Sequence, residues 1–188
     1  MAKKMALIRM LSSPDNKRVL QAVEELRVRG WLSDGSLAGV PLCHAHLQNA
    51  DLLGADLRNV DLHQAHLQWA DLSQANLSGS KLSRANLRGA NLSQTNLAGV
   101  DLFKADLTEA RNLADSQLAL AGRLWGAIMP DEETYDGRFN LPGDLEFARW
   151  GRVDVADPAA MAQFFGVPLE TYLHGQTLGS QTLAEAGG

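Results

Sequence analysis

A single cysteine, Cys43, stands among 188 residues, so no disulfide can close within the chain. A disulfide-stapled secreted scaffold is excluded, and a reducing cytoplasm is the expected setting. Long apolar runs are missing too: no stretch reaches the roughly 18 residues that a membrane-spanning helix needs. Arg9 interrupts the apolar residues near the start, and no small-residue cleavage site follows, so the reading predicts no signal peptide. An excess of basic charge is also absent. Lys and Arg total 17 against 22 Asp and Glu, a formal charge of −5, which argues against direct nucleic-acid binding. That charge is uneven: residues 1–30 carry net +4, residues 31–111 net −2, and residues 112–188 net −7.

The usual carriers of chemistry are missing as well. There is no phosphate-binding loop, no Cys-x-x-Cys, no His-x-x-x-His on a helical face and no Gly-x-Ser-x-Gly. A rod without long loops offers no cleft in which to desolvate a catalytic group. The expectation is a non-enzymatic protein without a cofactor.

What is present is a repeat. Leucine occupies every fifth position from Leu32 to Leu107, sixteen times without a miss. Two residues before each Leu lies a small residue, most often Ala (Ala45, Ala50, Ala55, Ala65). One residue before it usually lies Asp or Asn, as at Asp51, Asp56, Asp61, Asp71, Asn76 and Asn86. On an α-helix, five residues advance about 500°, which scatters the leucines around the rod. On a flat strand they would alternate between faces. One geometry gathers them: a short extended side with the small residue and the Leu inward, then a corner, then the next side. The small inward position reads Val40, Val60, Ser80, Val100 at a spacing of twenty, which selects four sides over three. Asp and Asn before each Leu face outward near a corner, where their short side chains bond local backbone.

Tandem Ala-Asp-Leu-x-x and Ala-Asn-Leu-x-x over residues 31–111 resembles the pentapeptide-repeat family. The resemblance implies a right-handed quadrilateral β-helix, here an all-β solenoid of about four complete coils with helical caps. The tail, from Met129-Pro-Asp to Tyr135-Asp-Gly-Arg-Phe-Asn-Leu-Pro-Gly-Asp-Leu, is similar to tails of bacterial members, especially cyanobacterial or Chloroflexi-like ones.

The expected organisation is a helical N-terminal cap over 1–30, the β-helix over 31–111, and a capping or tail region with short helices over 112–188. In the first cap, Ser13 is expected to cap a helix with Pro14 at its first position. Val19, Val23 and Leu26 make its apolar stripe and Gly30 its stop. A further helix is expected over residues 2–11. In the tail, Asp115–Gly122, Leu145–Trp150 and Pro158–Phe165 read helical, the last with Asp157 as N-cap and Gly166 as stop. Ala127-Ile128 resumes a solenoid side, Pro168–Leu173 makes a last turn, and the final dozen residues are expected to be mobile.

Stacking at twenty residues aligns His46 with His66 and Cys43 with His63, a corner where a soft metal could find ligands. The preferred reading is outward positions free to vary, with no metal. Trp69 and Phe103 point outward by phase and are candidate contacts for a protein partner. The function expected is a structural or interaction module presenting a rigid surface. The alternative, which the resemblance supplies, is a DNA mimic that binds DNA gyrase or topoisomerase, with Asp51, Asp56 and Asp71 imitating phosphates. The chain is expected to be a monomer or an end-to-end homodimer, its tail either closing the solenoid or forming the joint.

Overall fold

Each pentapeptide is organised around a turn. In the computed structural model, which describes residues 2–186, the N–H of each small residue bonds the carbonyl of the Leu three residues before it. Ala45 to Leu42 (3.1 Å), Ala65 to Leu62 (3.0 Å) and Ala105 to Leu102 (2.9 Å) are examples. From Leu37 to Leu107 the residue two after each Leu has positive φ: 58° at His44, 62° at Trp69, 55° at Lys104 and 67° at Gly99. A positive φ at the third of four residues with this closing bond marks a type II turn.

The corner is pinned a second time by Asp or Asn. Asp61 Oδ1 accepts the N–H of His63 (3.1 Å), Asn86 Oδ1 that of Arg88 (3.0 Å), and Asp101 Oδ1 that of Phe103 (2.9 Å). The short polar side chain expected to bond local backbone therefore does so, two residues ahead of itself.

Each side is shorter than the extended segment expected: one residue per side pairs with the next coil. His46 pairs in parallel with His66, Asp51 with Asp71, and Lys81 with Asp101. Leu47 N–H reaches His66 O (2.8 Å) and His66 N–H reaches Ala45 O (2.9 Å). The offset is twenty residues from Pro41–Asp61 to Asn91–Arg111. Inside, leucines such as Leu62, Leu67 and Leu72 are fully buried, with Ala or Val beside them. Where a hydroxyl replaces a methyl, it finds a partner. Thr95 Oγ1 donates to Leu72 O (2.8 Å), and Ser80 Oγ donates to Leu57 O (2.5 Å) while accepting from Val60 N (3.1 Å). Burial of these polar groups is thus compensated.

Past residue 111 the pairing continues with a longer offset. Asp101 pairs with Arg123 and Asp106 with Ile128, each 22 residues apart. The two extra residues are absorbed by α3 (Asp115–Leu118), whose Gln117 donates to Leu92 O (2.9 Å) and Thr95 O (2.8 Å). Ile128 then pairs antiparallel with Thr134 as the chain folds back.

At the other end, α1 (Ala2–Met10) and α2 (Asn16–Val28) bury Leu7, Ile8, Val19, Ala22, Val23 and Leu26 in the same apolar core as the leucines. The N-cap of α2 is Asp15, not Ser13. Asp15 accepts from Lys17 N–H (3.0 Å), while Ser13 Oγ accepts from Asp15 N–H one turn earlier. Gly30 (φ 69°) ends the helix, with Gly30 N–H on Arg27 O and Trp31 N–H on Leu26 O, the paired bonds of a Schellman stop.

In the tail, α4 (Pro142–Trp150) begins three residues before the expected helix, with Pro142 in its first turn. The helix α5 spans Pro158–Phe165, with Asp157 accepting from Ala159 N–H and Gly166 left-handed at its end. The expected last turn and mobile terminus are instead α6 (Leu169–Ala186); residues 187–188 of that terminus lie outside the described residues. Its glycines are the reason. A Cβ on Gly179 would overlap the Arg138 carbonyl, and one on Gly175 would sit 2.6 Å from Asp136 Oδ2. Their absence lets the helix press against residues 136–139, and this close packing outweighs poor helix propensity.

Candidate partner-binding surface

The solenoid presents four sides, taken here by their leucines. The first carries Leu32, Leu52, Leu72 and Leu92, and the second Leu37, Leu57, Leu77 and Leu97. The third carries Leu42, Leu62, Leu82 and Leu102, and the fourth Leu47, Leu67, Leu87 and Leu107.

The acidic residues of the first two sides are spoken for. Asp51 accepts from Leu53 N–H (3.2 Å) and pairs with Arg27 of α2 (3.3 Å). Asp56 receives two bonds from Arg58 (2.8 and 2.7 Å), which hold its carboxyl below the usual range. Asp71 is bonded by both the N–H and the hydroxyl of Ser73 and by Asn91 Nδ2. Burial pushes its pKa up, yet these donors hold it below normal. Asp34 pairs with Lys4 of α1, which with Ser36 lowers it to about 2. A phosphate mimic needs carboxylates that are open to a cationic groove. These are engaged with the chain itself.

The third and fourth sides differ. Lys81, Arg84 and Lys104 are exposed, and no carboxylate lies within ion-pair distance of them among the described residues. Lys104 instead stands over the Phe103 and Trp125 rings, at 5.4 and 5.2 Å. His46 and His66 stack across the coil interval, 4.8 Å between centroids and 9° from parallel, and His44 meets His63 edge-on at 6.2 Å. Cys43 is exposed, and desolvation together with the neighbouring Asp61 carboxylate raises its thiol pKa, which disfavours the thiolate. Among the described residues no three His, Cys, Asp or Glu side chains converge on a metal position. Two stacked rings fall short of the four ligands of a structural zinc.

The two aromatic candidates have separated. Trp69 is 49% exposed, and its ring lies on Gly89, one coil further on, where a Cβ would fall inside the ring. Phe103 is covered. It stacks on Trp125 (5.5 Å, 18°), meets the edge of Phe147 of α4 (5.7 Å), and carries the Arg123 guanidinium at 4.5 Å. Trp125 Nε1 donates to Phe164 O of α5 (3.0 Å). Phe103 is therefore the seat of the tail rather than open surface, which corrects the expectation from phase alone. An aromatic that phase reasoning passed over, Trp150, is 82% exposed and stacks on Phe147 (6.1 Å, 14°). Its position at the last residue of α4 was the available signal.

The open edge of the last coil is closed by a carboxylate. Asp144, fully buried, accepts from Leu124 N–H (3.1 and 3.2 Å, one to each oxygen) and Trp125 N–H (2.8 Å). In earlier coils a peptide carbonyl fills that role, as Arg123 O does for Leu102 N–H (2.9 Å). Desolvation raises the Asp144 pKa to about 6 against the pull of these backbone donors.

A repeating corner, a twenty-residue rise and a leucine core define a pentapeptide-repeat solenoid. A family model for pentapeptide repeats, in 8 copies, matches residues 42–79 and 80–111. The chain belongs to that family, whose members fold as right-handed quadrilateral β-helices.

Among solved structures, a pentapeptide repeat protein from the Arabidopsis thaliana thylakoid lumen is 29% identical over 50% of this chain and 60% of its own, with a TM-score of 0.41. HetL, a pentapeptide repeat protein involved in heterocyst differentiation regulation in the cyanobacterium Nostoc, is 28% identical over 53% of this chain and 61% of its own (TM-score 0.31). A further Nostoc pentapeptide repeat protein is 32% identical over 50% of this chain and 81% of its own (TM-score 0.29). The chain thus spans about three fifths of the length of the first two. No curated protein matches it. No helix among the described residues is long and apolar enough to cross a membrane.

Proposed function

We propose that the chain is a non-enzymatic interaction module: a rigid solenoid of about four complete coils that offers its third and fourth sides to a protein partner. In this reading residues 1–30 and 112–188 are caps around a β-helix over 31–111, and no cofactor is involved. The fourth side's Trp69 is the contact anchor. The observation that carries the reading is the asymmetry of the surface. Asp34, Asp51, Asp56 and Asp71 are all satisfied within the chain, while Trp69 and Arg84 are exposed without a charged or aromatic partner among the described residues. An exposed Trp held against backbone is a rigid, low-entropy anchor of the kind that dominates interfaces. The single cysteine supports a cytoplasmic setting. The cover that α4, α5 and Asp144 give the final coil favours a monomer over an end-to-end dimer. Affinity capture from the source cell tests the reading. A partner retained by the native chain and lost with Trp69→Ala supports it, and equal retention by both overturns it.

The second reading, a DNA mimic acting on gyrase or topoisomerase, rests on the acidic first and second sides. The pairing of Asp51 with Arg27 and of Asp56 with Arg58 weighs against it. A supercoiling assay titrated with pure protein separates the two. Inhibition relieved by Asp51→Lys or Asp71→Lys would establish mimicry in place of the first reading.

A further inference from the structure

Three features of the surface lie outside the reading above, and a fourth lies within it. The exposed leucines of α6, the shallow apolar groove along α2 and the acidic cleft around Asp131 and Glu133 have nothing beside them that says what covers them. The corner between the third and fourth sides has: its charge. Its turn positions, coil by coil, read His44, Gln64, Arg84, Lys104, a column with no carboxylate. Lys81 stands on the same side, and the stacked His46 and His66 form the near edge of the fourth side.

Elsewhere on the solenoid the cations are engaged, whereas in the caps Arg9, Lys17, Arg149 and Arg152 make no ion pair among the described residues. Arg27 pairs with Glu24 and Asp51, Arg58 with Asp56, Arg88 with Glu109, and Arg123 with Asp101. On an acidic chain, Arg84 and Lys104, on successive coils and in no ion pair, concentrate positive potential along this edge, while Lys81 stands between Asp61 and Asp101 in its own column. Arg84 (φ 59°) and Lys104 (φ 55°) occupy equivalent corner positions one coil apart, about 4.8 Å along the axis, and the Lys104 ammonium is held there over the Phe103 and Trp125 rings.

We infer that this corner binds an acidic, extended segment of the protein partner, running along the rod axis past Arg84 and Lys104. The inference rests on the reading of the third and fourth sides as the partner surface and names the chemistry recognised there. An extended chain presents same-face side chains about every 6.6 Å, a spacing that flexible Lys and Arg side chains accommodate from consecutive coils. A nucleic acid fits less well. Two cations neutralise few phosphates, Asp61 and Asp106 flank them, and the net charge of −5 repels a long polyanion.

The test is fluorescence anisotropy at low salt with two probes, a labelled hexa-aspartate peptide and a labelled DNA duplex. The peptide is expected to bind, more weakly as salt rises, and better than the duplex. Arg84→Glu with Lys104→Glu is expected to weaken peptide binding by about tenfold or more. Lys17→Glu with Arg18→Glu on α2, the same change in charge, is expected to leave it nearly unaltered. Equal loss in both double variants, no peptide binding at low salt, or preference for the duplex overturns the inference. Both exchanged residues are exposed; should the Glu pair unfold the chain, Arg84→Gln with Lys104→Gln replaces it. Capture of the partner by the Arg84/Lys104 variant but not by Trp69→Ala would sink the inference and leave the proposed function standing. Capture by both would sink the proposed function itself.

Discussion

The indole of Trp69 rests on the backbone of Gly89, twenty residues later and one coil up, where a side chain of any size would overlap the ring. Gly89 also has φ of 65°, so a substitution there meets both a steric and a conformational penalty. Gly89→Ala is expected to lift Trp69 off the rod and cost about 1–2 kcal/mol. A red shift in the Trp69 emission of a single-Trp variant, with a lower melting temperature, would bear this out; an unshifted spectrum would refute it.

Burying Asp144 makes the tail sensitive to pH. Its pKa is raised from 3.8 to about 6, so the folded chain binds a proton more tightly than the unfolded one. The stability it contributes is full below pH 3.8 and is lost as pH rises through about 6, a difference of about 3 kcal/mol. Asp144→Asn keeps an acceptor for Leu124 and Trp125 N–H without the charge. It is expected to flatten the fall in melting temperature between pH 4 and 7. Asp144→Ala leaves those N–H groups unpaired and is expected to cost about 2–3 kcal/mol. An Asn variant with the native pH profile would rule out this role.

The outer carboxylates work in the opposite direction. Asp34, Asp56, Asp71 and Asp101 have folded pKa values below their ordinary range, Asp34 at about 2. Their stability is present above pH 3.8 and lost as pH falls through the folded values. Acid unfolding should therefore steepen below pH 3.8, and Asp71→Asn should make it shallower. A native acid limb in that variant would count against the assignment.

Ten non-glycine residues sit with positive φ at the turn position between His44 and Glu109. The hydrogen-bonded ladder imposes that conformation, because it costs an L-residue roughly 1–2 kcal/mol. At exposed Gln94 (φ 55°), replacement by Gly is expected to be neutral or to stabilise by up to about 1 kcal/mol. Gln94→Val is expected to destabilise by about 2 kcal/mol, since β-branching is least tolerated there. Chemical denaturation measures both, and the reverse order would contradict the turn assignment.

Phe103 joins the solenoid to its tail through Trp125 and Phe147. Phe103→Ala is expected to cost about 3 kcal/mol and to loosen residues 112–188 before the repeats. Limited proteolysis would then cut first in the tail; cleavage starting within residues 42–111 would disprove the linkage.

Much of this architecture was legible in residue order because the solenoid repeats locally. Leucine every fifth residue, a small residue two before it and Asp or Asn one before it each act within a single turn, so their roles follow from spacing. The same holds for Asp157 and Gly166 at the ends of α5. The partners of Asp51, the covering of Phe103, the close packing of Gly175 and Gly179 and the burial of Asp144 were not legible. Each depends on residues some 19 to 44 positions away whose meeting no period announces. The sequence alone determined a leucine-filled four-sided coil, because burial of a five-residue pattern admits few other geometries. Tertiary structure alone decided which of its charges remain free, because neutralising a carboxylate takes a cation delivered to within about 4 Å of it, and for Asp34 and Asp51 that cation comes from helices packed on the rod, for Glu109 and Asp101 from a neighbouring coil.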